Sequence, residues 1–126
     1  MSYINIDGYV TRYAYSGANS PSKVRRSPLS QSINGSQIEV TGSGIGQTTI
    51  IHEAPLGTDG VDEVHLYAYN SAPSGVGDIR LCLYWGEDSS AGENKVNISY
   101  QAARFHIVDG KLLQNGLKIK AWTSTV

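Results

Sequence analysis

"VHLYAYNSAPSGVGDIRLCLYW", residues 64–85, decides the fold. Val64–Tyr69 and Ile79–Trp85 each alternate between apolar positions and polar or aromatic ones. A period of two is the signature of a strand, whose successive side chains point to opposite faces. The segment between them holds Pro73, Gly75 and Gly77, residues that break strands and reverse chains. The stretch therefore reads as a β-hairpin.

Sorting this hairpin by phase gives two unequal faces. Val64, Leu66, Ala68, Ile79, Leu81, Leu83 and Trp85 form a core face, and His65, Tyr67, Tyr69, Arg80, Cys82 and Tyr84 form the other. A solvated face would carry Lys, Glu, Ser and Thr. Tyrosine instead buries a broad ring while keeping a hydroxyl for a partner, which suits an interface. Tyr67, Tyr69 and Tyr84 are accordingly expected to be covered, either by Tyr9, Tyr13 and Tyr15 of an amino-terminal strand or by another molecule. An aromatic platform for sugar is the other use of such a face.

Further alternating runs lie at 8–15, 36–41, 47–53, 95–100, 104–108 and 116–123. Turn signals separate them: Asn34-Gly35, the glycines of 42–46, "GTDG" at 57–60, "GEDSSAGEN" at 86–94, Asp109-Gly110 and Asn115-Gly116. Many short strands with turns about every ten residues spell an all-β chain, an antiparallel β-sandwich or jelly roll of about eight strands. At 126 residues it forms a single domain over 1–126. Residues 16–32, "SGANSPSKVRRSPLSQS", offer little to bury and read as an extended Ser/Pro/basic arm or loop, either solvated or ordered against a neighbouring subunit.

The glycine stretch "GSGIGQTTII" at 42–51 invites a phosphate-loop reading. A phosphate loop needs a helix directly after it, whereas Thr48, Thr49, Ile50 and Ile51 are β-branched and favour a strand. No lysine occupies the phosphate-binding position, so the glycines are read as a turn.

The net charge is −1, which gives no reason to expect nucleic acid as a partner. Arg12, Lys23, Arg25 and Arg26 against Asp7 put +3 in residues 1–32, leaving −4 for the remainder. A basic arm on an acidic body hints at end-to-face packing between molecules. The one cysteine, Cys82, excludes an internal disulfide and a cysteine-based zinc site. No apolar run is long enough for a membrane, and no charged-then-apolar leader is seen, so a cytoplasmic origin is expected.

Catalytic chemistry finds little support. His52, His65 and His106 are the groups suited to proton transfer, but no metal-binding histidine motif occurs. Thr58-Asp59-Gly60 with Asp62 and Glu63 reads as an acidic turn rather than a cation site. Cys82 shares a hairpin face with His65, yet a mid-strand cysteine is usually a small apolar filler. No catalytic, cofactor or metal residue is assigned.

Residues 47–126 carry a specific order of turns and strands. A Thr-rich strand ends in Ala54-Pro55-Leu56-Gly57-Thr58, the strand Val64–Asn70 closes on an Asn-containing loop, and the next strand ends in Trp85-Gly86. A late Leu113–Gly116 turn then leads into a strand ending Ala121-Trp122. This order resembles small β-sandwich virion proteins of tailed bacteriophages, of the capsid decoration (cement) type. The resemblance implies a structural protein of the virion surface, made in the host cytoplasm, that binds the major capsid protein as a homo-oligomer, with a trimer favoured. It implies no enzymatic site and no cofactor. Tyr67, Tyr69 and Tyr84 would pack at the interface, and Arg25 and Arg26 would meet acidic capsid patches. A receptor- or glycan-binding module of a tail or fibre is the alternative.

Overall fold

A computed structural model describes residues 3–14, 23–40, 48–57, 60–71, 79–86, 94–98 and 105–125. These build two antiparallel sheets packed face to face. The strands are β1 (Ile4–Ala14), β2 (Lys23–Pro28), β3 (Ile38–Glu39), β4 (Thr49–Glu53), β5 (Gly60–Asn70), β6 (Ile79–Gly86), β7 (Asn94–Ile98), β8 (Phe105–Leu113) and β9 (Lys118–Thr125). The first sheet runs β2-β1-β5-β8, with β3 also pairing β1, and the second runs β4-β9-β6-β7. The all-β sandwich expected from alternation is the observed architecture.

Inward phases close the core. Ile6, Val10 and Leu66 from the first sheet meet Ile51, Leu81 and Ile119 from the second, each fully buried. Each such side chain contributes about 1.5–3 kcal/mol by leaving water.

The hairpin expected over 64–85 does not form. β5 lies in the first sheet, between β1 and β8, while β6 lies in the second, between β9 and β7. Their core faces were read correctly for Val64, Leu66, Ala68, Ile79, Leu81 and Leu83, all buried; the side chain of Trp85 lies outside the described residues. The two strands belong to different sheets and bring their apolar sides to the same core instead of sharing hydrogen bonds. Alternation fixes which side of a strand is apolar, but either arrangement satisfies it.

Two other expectations are revised. Within the segment read as a loop or arm over 16–32, residues 23–28 are β2, registered antiparallel on β1 from Tyr9↔Pro28 to Ala14↔Lys23. Leu29 then turns into the core at 1 % exposure. The backbone edge of β1 takes up residues 23–28, and Leu29 and Ser30 hold the chain that follows. Residues 15–22 lie outside the described residues. Asp109-Gly110 is not a chain reversal but a bulge inside β8, as His65 pairs Asp109 while Val64 pairs Lys111. Asn34-Gly35 and Asn115-Gly116 do turn the chain, with positive φ at all four residues. The second of these turns links strands of different sheets.

Docking of β2 through Leu29 has a measurable consequence. Leu29→Ala lowers stability by about 2–5 kcal/mol in urea unfolding, whereas Val24→Ala, on the exposed side of the same strand, changes it by less than about 0.5 kcal/mol. Equal small effects at both positions would mean that β2 is not anchored.

Candidate functional site

Two groups of polar side chains stand out, one sealed between the sheets and one on the outer face of the first sheet. The sealed group centres on Asp62, 1 % exposed, in the inward phase of β5. Its cross-strand partner Arg12 grips it bidentately, Nε to Oδ1 at 2.8 Å and Nη2 to Oδ2 at 3.0 Å. His52 of β4 reaches across from the opposite sheet, with Nε2 2.8 Å from Asp62 Oδ2. The Ser30 backbone N–H donates to His52 Nδ1 at 3.0 Å. That bond makes Nδ1 an acceptor, so the imidazole proton sits on Nε2 and is donated to the carboxylate.

A carboxylate orienting a histidine is also the geometry that primes a general base. Here the remaining ring nitrogen is already used by Ser30, so the group is a clamp joining β1, β4, β5 and the chain after β2. Burial pushes the His52 imidazole below its ordinary value of 6.5 despite the Asp62 carboxylate. Burial alone would raise Asp62. Its hydrogen bonds from Arg12 and His52 outweigh that and hold the carboxyl below its ordinary 3.8.

The outer group is a row of rings crossing strands. Arg26 of β2 lies over Tyr9 of β1, 4.3 Å from guanidinium carbon to ring centroid. Tyr9 stacks on His65 of β5 at 4.9 Å, His65 on His106 of β8 at 5.7 Å, and His106 on Tyr67 at 4.5 Å. Close contact between β1 and β5 supports the row. Gly8 has φ +151°, and a Cβ there would fall 2.0 Å from the His65 carbonyl oxygen. Only glycine lets the two strands meet at this point.

The bulges of β8 complete the site. Its register against β5 shifts twice, between Leu66 and Tyr67 and between Val64 and His65. In a regular strand, residues 106 and 109 would point to opposite faces. The extra residue places both beside His65: Asp109 Oδ1 lies 3.4 Å from His65 Nδ1 and 3.8 Å from His106 Nε2. On its far side His65 Nε2 is 2.7 Å from Glu63 Oε1, and Tyr13 Oη donates to Glu63 Oε2 at 3.3 Å. Among the described residues, His65, His106 and Asp109 form a group whose ligand atoms lie within 4.8 Å of one another.

The residues singled out from sequence divide between faces. Tyr67, Tyr69 and Arg26 stand on the outer face of the first sheet, with Tyr69 donating to Gln37 Oε1 at 2.5 Å. Arg25 is exposed but, by strand alternation, on the opposite side from Arg26. Tyr84 is removed from any docking role. It is 1 % exposed in the second sheet, and Trp122 donates its indole N–H to the Tyr84 hydroxyl at 2.5 Å. Tyr9 does not cover the tyrosine face but extends it through β1, its ring stacked on that of His65. Buried Cys82 belongs to β6 in the second sheet, so the thiol and His65 are not neighbours. Asp62 and Glu63 serve Arg12 and His65 rather than an acidic turn.

No family model matches the chain, and comparisons with curated proteins and with solved structures gave no match.

The sealed clamp sets the response to acid. Because native His52 resists protonation, the unfolded chain takes up the extra proton as pH falls below about 6.5, and stability declines in that window. Asp62 adds a second loss below about 3.8, where the unfolded carboxyl protonates before the native one. Urea midpoints measured from pH 7.5 to 3 should show both declines, and His52→Gln should flatten the first. A wild-type midpoint that is level from pH 7 to 5 would contradict the neutral clamp.

Proposed function

We propose that this protein is a structural component of a tailed-bacteriophage particle, a decoration (cement) protein that binds the major capsid protein through the outer face of its first sheet. The observation that carries the reading is the ordered row Arg26–Tyr9–His65–His106–Tyr67. Side chains already stacked lose little rotamer freedom when a partner arrives, so more of the contact energy is kept. Tyrosine and arginine also suit the polar, aromatic chemistry of protein interfaces. The turn-and-strand order of residues 47–126 supports the same reading through its resemblance to small virion proteins.

Arg26 faces the partner and is the cation assigned to an acidic capsid patch. A trimer would present the row three times, and weak contacts repeated in this way sum to firm attachment at the virion surface after assembly in the host cytoplasm. The competing reading is a tail or fibre module that binds glycan. Its difficulty is geometric. A sugar ring packs on a free aromatic face, and the inner rings of this row turn their faces to one another.

Purified protein mixed with undecorated capsids of its phage should co-sediment in fixed stoichiometry. Arg26→Ala and Tyr67→Ala should each weaken attachment about tenfold or more, while Tyr84→Phe should leave it unchanged. No co-sedimentation of the unaltered protein would remove the cement reading, and a reproducible glycan-array signal lost in Tyr67→Ala would favour the fibre alternative.

A further inference from the structure

We propose that His65, His106 and Asp109 form a binding site for a divalent first-row transition ion of the zinc class. The inference stands on these side chains and does not depend on what docks against the sheet.

The argument begins with the His65 proton. Glu63 can only accept at 2.7 Å, so His65 Nε2 carries the hydrogen and Nδ1 presents its lone pair. Nδ1 is shielded from solvent and makes no hydrogen bond. Its neighbours are a second acceptor, Asp109 Oδ1 at 3.4 Å, and beyond it His106 Nε2, 3.8 Å from that same oxygen. A proton can serve one pair of these atoms. A metal ion can serve all three.

Distances and donor types specify the ion. In a tetrahedral site with bonds of about 2.1 Å, neighbouring ligand atoms stand roughly 3.4 Å apart. The two contacts of Asp109 fall at or near that value, and the full set lies within 4.8 Å. Closing the remainder requires His106 to turn out of its stack on Tyr67. That movement is open to an exposed ring on a bulged strand that, among the described residues, borders the sheet. Two imidazoles and one carboxylate suit zinc, cobalt or nickel, whereas calcium and magnesium prefer oxygen alone. Glu63 supplies the outer carboxylate that commonly orients a metal-bound histidine, itself held by Tyr13. Three protein ligands leave a fourth position for water or for a partner's side chain.

The test uses tag-free, full-length protein and the metal alone. Equilibrium dialysis with Zn²⁺ should give one ion per chain, not displaced by a large excess of Mg²⁺ or Ca²⁺. Co²⁺ should produce the intense visible bands of a four-coordinate site. His106→Ala and Asp109→Asn alter exposed side chains, so both should fold as the parent does and both should lose the bands. Glu63→Gln acts through His65 and should weaken Zn²⁺ binding by about 10–100-fold while keeping the cobalt spectrum. The proposal is overturned if the parent binds neither ion at 100-fold excess over protein, or if Zn²⁺ binding survives intact in the His106→Ala, Asp109→Asn double variant.

Discussion

A single carboxylate buried between two sheets organises this molecule. Asp62 occupies a position where alternation would place an apolar residue, and leaving a charge there alone would cost several kcal/mol. Its oxygens are instead taken by Arg12 from the neighbouring strand and by His52 from the facing sheet. His52 in turn accepts from the backbone after β2, and Ser30 Oγ accepts the Glu53 N–H at 2.8 Å. Hydrophobic packing would hold two sheets together in several relative positions. A directional contact to one carboxylate selects among them, and it also fixes where the chain leaves β2.

The outer face depends on that arrangement. Once β1 and β5 are paired along their whole length, Gly8 allows the close approach that sets Tyr9 against His65. β8 then adds His106 and Asp109 through its bulges. Bulges near functional sites commonly redirect a side chain in this way. The row of rings and the proposed metal-ligand set share His65 and His106, so an ion bound there and a partner docked on this face would act through the same two imidazoles.

Much of the fold was legible in the sequence. Alternation located eight of the nine strands among the described residues and sorted the core residues of β5 correctly, because burial of one face is what period two records; in β6, Cys82 and Tyr84 of the other face are buried as well. Strand partnership was not legible: the same pattern in 64–85 serves a hairpin or two facing sheets. β2 escaped notice because its partner is the backbone edge of β1, and backbone hydrogen bonds leave no trace in side-chain polarity. The clamp did leave one. Arg12 and Asp62 share the phase of Val10 and Val64, and a charge in an apolar phase marks a buried pair. The cluster on β8 could not be found by spacing, since residues 106 and 109 belong to one face only when an extra residue intervenes, and Ile107, which supplies it, reads as an ordinary strand residue.

β2 has a further consequence, for solubility. It forms an outer boundary of the first sheet among the described residues, and an unpaired strand boundary is a template on which identical chains can add and aggregate. Arg25 and Arg26, both exposed, occupy that boundary together with Pro28. Like charges repel an approaching copy, and proline cannot donate to a new ladder. Identical chains would thereby be kept from adding strand upon strand by the very residues that look, in the sequence, like a loose basic tail.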